Sequence, residues 1–466
     1  MARTRLEPGE TLDGFLIGEP LHVGGMAALW EASHPDHGFP LLVKIPRISE
    51  GEDPAAIVSF EMEQMILPRL SGPHVPRFVA AGGFDRQPYL AMERIPGASL
   101  VTRLAALPLP AGEVAAEGAR IADALESLHR QHVVHLDVKP SNILAREGGE
   151  AVLVDYGLSH HAQLPDLMEE EFRLPYGTAP YMAPEQVMGV RSDPRSDLFA
   201  LGVLMYFFAT GQRPFGDPQR LSGLKRRLWR DPVPPRKLRP DLPLPLQEVI
   251  LRCLEVLPER RHPSAAQLAF DLRHLDSVAL TARAQRMRQD GWAKVVQRRF
   301  HPDHRPRFGA EAKPDAAPPA PIVAVAVDLP CDAELGESLR ETVWHIMTTL
   351  PGARLACLNV LRQARITIDT TLDEAGRNKH VQRLVELQGW AAPLGLPEGR
   401  VTHHVLEATG PADAILGFAR SNGVDHIVMG ARASSVRRRV LGSVSAEVAA
   451  EAPCSVTVVR PRTRIE

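Results

Sequence analysis

Within one short stretch, residues 133–144, the chain places Asp137, Lys139 and Asn142 in the run His-Leu-Asp-Val-Lys-Pro-Ser-Asn. A carboxylate can accept a proton, an ammonium can meet the charge of a phosphoryl group in transfer, and an amide oxygen can bind a hard cation. Thirteen residues after Asn142, Asp155 ends the apolar run Val-Leu-Val and precedes Tyr156 and Gly157, adding a second hard-oxygen ligand suited to Mg²⁺. An acid, a cation and two metal ligands in this order have few structural explanations; a pair of surface turns is the alternative. Upstream, Lys44 closes the apolar run Leu-Leu-Val, where a buried ammonium needs a carboxylate or phosphate partner. Glu63 can supply it, although exposed lysines and glutamates are common. Gly24 and Gly25 sit between two strand-like runs, where missing side chains let backbone N–H groups approach phosphates or simply make a turn.

Certain elements must hold these groups. The first 100 residues alternate short β-rich runs (15–19, 28–33, 41–45, 78–82, 89–93) with one helical stretch, 55–70, and from about 112 to 275 the period becomes helical. A small sheet-rich lobe followed by a larger helical lobe is implied. Residues 277–307 carry eight Lys or Arg against Asp290 and Asp303 on a segment expected to be helical until Pro302 and Pro306 break it. A solvated helix face or an interlobe strap is favoured there over a site for an acidic partner or nucleic acid. Residues 314–321, rich in Pro and Ala, read as an extended linker. Beyond them strands (322–327, 355–361, 401–406, 426–429, 456–459) alternate with helices (334–350, 372–387, 411–421, 443–450), the grammar of an α/β doubly wound parallel sheet.

At 466 residues the chain exceeds one ordinary core. Its 44% apolar and 24% charged residues suit a globular protein, and the net charge of -2 argues against a chain-wide nucleic-acid or membrane-surface role. No run approaches the length of a membrane span and the N-terminus lacks the apolar core of a signal peptide, so a cytoplasmic location is expected. Cys253, Cys331, Cys357 and Cys454 form no Cys-x-x-Cys pair and read as buried thiols.

Residues 10–275 resemble the eukaryotic-like serine/threonine protein kinase family. The landmarks are the Gly-rich turn, Lys44, Glu63, Ala91-Met-Glu-Arg-Ile95 at the hinge position, His135-Leu-Asp137, Asn142, Asp155-Tyr-Gly157, Gly177-Thr178, Ala183-Pro-Glu185, Asp197 with Gly202, and Arg261. The resemblance implies an α+β bilobal kinase fold, with a small lobe of about 10–95 and a large lobe of about 96–275, that transfers the ATP γ-phosphate to protein Ser or Thr. It makes Gly24, Gly25, Lys44, Glu63, Glu93 and Ile95 the ATP site, Lys44 meeting the α- and β-phosphates in Glu63's grip. Asn142 and Asp155 hold Mg²⁺, with Mn²⁺ as the alternative, and Asp137 orients the acceptor hydroxyl and takes its proton beside Lys139. Thr178 shapes the acceptor site, while His135, Asp197 and a Glu185–Arg261 ion pair brace the large lobe.

Against the family's Gly-x-Gly-x-x-Gly loop, His22, Gly24 and Ala27 leave only the middle glycine, and Leu42 replaces the usual alanine two residues before the lysine. Weaker ATP binding is expected. Leu136 stands where the family's arginine usually pairs with a phosphorylated activation loop, and between Asp155 and Thr178 the only hydroxyls are Tyr156, Ser159 and Tyr176, beside Asp166, Glu169, Glu170 and Glu171. The expectation is a kinase not switched by activation-loop phosphorylation; the rival is a pseudokinase serving as a nucleotide-sensing scaffold.

Residues 321–461, after a 276–320 segment of basic helix and linker, resemble the universal stress protein family, most closely in Met429-Gly-Ala-Arg, Gly442-Ser-Val-Ser and Ala452-Pro-Cys-Ser-Val-Thr-Val-Val-Arg. The resemblance implies Asp328, Gly430, Gly442 and Ser443 as nucleotide contacts and a homodimer through the last strand. Turn glycines and a Ser cap are the plain alternative. Ala433 in place of the family's second glycine, and an interval one residue short, count against nucleotide binding. Regulation of the kinase in cis by this domain is expected.

Overall fold

The structure is a computed structural model and describes residues 6–48, 54–172, 175–300, 320–363, 372–373, 378–397, 399–431 and 442–461. An antiparallel six-stranded sheet forms the small lobe, from β1 (Thr11–Leu12), β2 (Phe15–Val23), β3 (Ala27–Ser33), β4 (Leu41–Pro46), β5 (Phe78–Gly82) and β6 (Tyr89–Glu93), in the order β1-β2-β3-β4-β6-β5. In β4, Leu41, Val43 and Ile45 are buried on one face, so the pleat turns Lys44 to the other. The helix that follows, α1 (Pro54–Ile66), is apolar almost all round and buries Ile57, Val58, Phe60, Met62 and Ile66, as a helix packed between layers must. Glu63 is buried among them.

The large lobe is built on α2 (Ala111–Arg130), with a short α3 (Leu167–Glu171) and longer α4 (Arg195–Thr210), α5 (Leu244–Cys253) and α6 (Ala265–Arg273). The α4 sequence LFALGVLMYFFA is apolar on every side and lies at the centre, ending where Gly211 takes a left-handed conformation (φ +72°). Gly202 lets α4 approach α5, since a Cβ there would come within 2.5 Å of the Cys253 Cβ. Two small antiparallel ribbons, Ile143–Ala145 with Ala151–Leu153 and Val133–Val134 with His160–His161, frame the loop that carries Asp137.

The basic segment departs from expectation. Among its described residues only α7 (Trp292–Phe300) is an α-helix; residues 278–291 run irregularly over α5. The Gln247 side-chain amide donates to the carbonyls of Arg283, Ala284 and Arg286 at 2.9–3.0 Å, and Arg283 pairs with Glu248 and Glu255. These contacts take up backbone carbonyls that a helix would have used internally. The proline-containing stretch 301–319 lies outside the described residues.

The second domain is a five-stranded parallel sheet of β7 (Ile322–Ala326), β8 (Arg354–Arg362), β9 (Val401–Ala408), β10 (His426–Gly430) and β11 (Ser455–Val459), ordered β9-β8-β7-β10-β11. Helices α8 (Ala333–Thr349) and α9 (Lys379–Ala391) cover one face and α10 (Pro411–Asn422) and α11 (Ser443–Glu451) the other. β7, Ile-Val-Ala-Val-Ala, is apolar at every position because it is covered on both faces. The helix expected over 372–387 instead begins at Lys379, because Asn378 caps it by accepting from the Val381 N–H (3.2 Å), and it runs on to Ala391. Among the described residues no helix is long and apolar enough to cross a membrane.

Candidate active site

The loop that carries Asp137 is pinned from beneath. Asp197, fully buried at the start of α4, accepts from the His135 N–H (2.9 Å), the Leu136 N–H (2.8 Å) and His129 Nε2 (2.8 Å). Leu136 needs that grip. It is a bulky residue at φ +64°, a conformation that costs energy without a Cβ-free residue, and Gln186 Nε2 also holds its carbonyl at 2.9 Å. Glu185 and Arg261 form a bidentate pair (2.6 and 2.7 Å) at 1% exposure or less, with Ser196 Oγ donating to Glu185. The remaining Arg261 donors reach the carbonyls of Glu255, Arg195 and Val256, so the buried guanidinium is fully satisfied.

On this base Asp137 projects a carboxylate whose partners all come from predicted residues. Oδ1 accepts from Thr178 Oγ1 (2.7 Å) and N–H (3.1 Å), while Oδ2 accepts from Lys139 Nζ (2.6 Å) and Asn142 Nδ2 (3.1 Å). Lys139 also reaches Thr178 Oγ1 at 3.0 Å. A hydroxyl that takes the place of Thr178 Oγ1 therefore meets a fixed proton acceptor with a cation alongside.

Lys44 lies between Glu63 (2.5 Å) and Asp155 (2.8 Å). Burial works against its charge, but the two carboxylates outweigh this and hold the ammonium above its ordinary value; the charge of Lys44 holds Asp155 below its own. Asp155 adopts φ +71°, and its side chain is 45% exposed, open to a ligand. Asn142 and Asp155 offer two hard-oxygen donors, a set that fits Mg²⁺, which keeps water and phosphate oxygens in its shell. Among the described residues no cluster of three or more His, Cys, Asp or Glu forms a complete metal cage.

Gly24 and Gly25 occupy the β2–β3 turn, where Arg47 donates to the Gly24 carbonyl at 2.9 Å and a Cβ on Gly25 would meet open space. At the hinge, the Glu93 side chain is committed to Arg146 (2.6 and 2.9 Å), whose hydrogen bonds hold its carboxyl below the ordinary range. Any ligand contact there falls to the backbone of Glu93 and Ile95.

One buried side chain near the site carried no readable signal. Arg227, 1% exposed, donates to the carbonyls of Met182 and Ala179 and braces the segment after Thr178; in the sequence it is one of three consecutive basic residues. One arrangement is a decoy. Cys253 Sγ lies 3.5 Å from His262 Nδ1, and His262 Nε2 lies 3.4 Å from Asp271 without a hydrogen bond. Burial pushes the thiol up to about 12 and the imidazole down to about 3, so no thiolate forms.

In the second domain Asp328, Gly430, Gly442 and Ser443 line one cavity of 340 Å³ at the carboxyl ends of β7 and β10, where the strand order reverses. Asn359, 3% exposed, lines it too: its Nδ2 donates to the Val327 carbonyl (2.8 Å), but its buried Oδ1 has no hydrogen bond among the described residues. Ala433 and the interval before Gly442 lie outside the described residues.

The Protein kinase domain family matches residues 19–271 and the Universal stress protein family matches residues 321–460. Among curated proteins, serine/threonine-protein kinase Pkn1 of Myxococcus xanthus is 31% identical over 322 residues, covering 66% of this chain and 46% of that protein. Serine/threonine-protein kinase PknB of Mycobacterium leprae is 28% identical over 270 residues, covering 57% of this chain and 43% of that one. The chain thus spans about half the length of the curated relatives it matches. Among solved structures, the kinase domain of Mycobacterium tuberculosis PknI is 25% identical, covers 58% of this chain and 100% of its own, and has a TM-score of 0.46.

Proposed function

We propose, for a chain that belongs to the protein kinase family and carries a universal stress protein domain behind its kinase domain, that it transfers the γ-phosphoryl group of ATP to serine or threonine hydroxyls of a protein. The observation that carries this reading is Asp137, shared by Lys139, Asn142 and Thr178, with the Asn142 carbonyl accepting from the Val154 N–H (3.0 Å) next to Asp155, the partner of Lys44. Lys44 meets the α- and β-phosphates, the backbone at Gly24 and Gly25 covers them, and the hinge backbone at Glu93 and Ile95 takes the adenine. Mg²⁺ held by Asn142 and Asp155 neutralises phosphate oxygens when bound. Asp137 orients the acceptor hydroxyl and receives its proton, with Lys139 balancing charge, so catalysis comes from positioning and fixed electrostatics.

Purified chain incubated with labelled ATP, Mg²⁺ or Mn²⁺ and a generic protein acceptor is expected to transfer label. Asp137→Asn and Lys44→Met should each lower the rate by roughly 10²-fold or more. No transfer with either metal refutes the reading and favours a nucleotide-sensing scaffold.

Control resides in cis in the second domain and not in activation-loop phosphorylation. Supporting this, Ser159 is fully buried and donates to the His135 carbonyl (3.1 Å), and Tyr156 is fully buried with its hydroxyl on the Leu153 carbonyl (2.8 Å). The second-domain cavity takes a nucleotide, with the orphaned Asn359 Oδ1 as acceptor for an amine or hydroxyl of the ligand. Asn359→Leu should remove the thermal stabilisation that adenine nucleotides confer on the second domain; an unchanged shift refutes this assignment. Two copies pair through β11, an edge strand of the sheet, which light scattering of the full chain tests.

A further inference from the structure

The activation segment, between Asp155 and Thr178, contains α3, a helix of only five residues. So short a helix does not sustain itself. Asp166 caps it, accepting from the Glu169 N–H (3.2 Å) while held by Arg191 (2.6 Å) and His160 (3.0 Å). Leu167 and Met168 are buried in a hydrophobic cluster that includes Ala55 and Val58 of α1 and also Val381, Leu384 and Val405 of the second domain. Glu171 closes α3, where its charge opposes the helix dipole, and Glu170 precedes it. Two adjacent carboxylates at 10% and 5% exposure require external cations.

The second domain supplies them. Arg354, at the start of β8, grips Glu170 with both terminal nitrogens (2.6 and 3.1 Å). His404 of β9, fully buried, places Nδ1 2.9 Å from Glu171 and Nε2 3.1 Å from Glu170. Thr402 Oγ1 bridges Arg354 and His404 at 2.9 Å each, and Asn422 of α10 donates to the Glu170 carbonyl (3.4 Å). Two carboxylates thus face two cations. Glu61 of α1 adjoins the same junction and receives Gln388 Nε2 of α9 at 3.5 Å; two residues along that helix is Glu63, the partner of Lys44. In the kinase domain Leu136 is buried and uncharged where the family's arginine would stand, so it provides no cation to an acidic segment.

Resting on the reading of the chain as a kinase controlled in cis, we propose that Arg354 and His404 form a receptor for the Glu170–Glu171 pair, by which the second domain activates the kinase domain. Docking fixes α3 against α1 and thereby keeps Glu63 on Lys44. The acidic pair stands in for a phosphorylated residue, and its cation pocket has moved to another domain.

The test uses the full chain and two readouts, phosphoryl transfer and hydrogen exchange of backbone amides 167–172, the second independent of catalysis. Arg354→Glu should lower transfer by roughly tenfold or more, as an unpaired buried carboxylate demands, and accelerate exchange in α3. The swap Glu170→Arg with Arg354→Glu should recover part of both losses, the remainder reflecting the new cation beside His404 Nε2, whereas a merely misfolded domain would recover neither. Should Arg354→Glu unfold the second domain in a melting curve, Glu170→Gln reads the same contact from the kinase side and is expected to act in the same direction. The proposal is overturned if exchange and transfer are both unchanged in these variants, or if transfer rises, which would make the contact an inhibitory latch. A wild-type chain that transfers nothing while α3 exchange responds as expected refutes the kinase reading and supports the receptor.

Discussion

Raising the pH should loosen the contact between the two domains, and His404 sets the window. Its surroundings comprise Glu170 and Glu171 of α3, Arg354 of β8, Thr402 and His403 of β9, the Phe418 ring of α10 and Glu61 of α1. Burial disfavours the imidazolium, but the hydrogen bonds and charges of Glu170 and Glu171 outweigh it and raise the pKa from 6.5 to about 9. The folded state therefore binds this proton more tightly than the unfolded chain does. Its contribution is complete below pH 6.5 and is lost as the pH rises through about 9. At 1.36 kcal/mol per pKa unit the proton contributes roughly 3 kcal/mol, a change in melting temperature on the order of 10 °C for the unit that melts with the contact. Glu61, raised from 4.5 to about 8 by burial and then by Glu171, acts in the same direction at lower pH, whereas His403, lowered to about 4 by burial, stays neutral throughout the window. Melting curves of the native chain and of His404→Gln, recorded between pH 6 and 10, isolate the effect. The native curve should fall more steeply than the variant's between pH 6.5 and 9, and parallel curves would refute the assignment of a charged, doubly bonded imidazole.

Two further outcomes are expected. Arg261→Met leaves the buried Glu185 without its partner and should cost about 3–5 kcal/mol, visible as a lower melting temperature, and adding Glu185→Leu should recover much of the loss. Ser159→Ala should retain transfer activity and lose only about 1 kcal/mol of stability with the hydrogen bond to the His135 carbonyl, and mass spectrometry should find no phosphate on Ser159 in the native chain.

The candidate reacting groups were legible because their chemistry restricts residue type. An acid, a lysine and hard-oxygen ligands admit few substitutes; Asp137 contacts Lys139 and Asn142, and Lys44 contacts Glu63 and Asp155. The strands of the second domain were legible for a different reason: doubly covered strands are apolar throughout. The start of α9 was misread since an apolar period extends through Leu372, while the deciding signal was a single cap residue, Asn378. Residues 278–291 were misread because local basic composition cannot reveal that Gln247 and Glu248 will claim the chain. The interdomain contact left no local trace: Glu170 and Arg354 are 184 positions apart, and each alone resembles a surface charge.

The position of α1 has a consequence for turnover. This helix belongs to the small lobe, carries Glu63 toward Lys44, and shares its hydrophobic cluster with Val381 and Leu384 of the second domain. Release of a spent nucleotide from a cleft between two lobes requires those lobes to part. Here that hinge cannot swing freely, because the moving lobe is berthed against a third body. In the proposed reaction cycle the small lobe must either haul the second domain along or slide α1 across its surface, so the slowest step should respond to solvent viscosity and to ligands of the second domain.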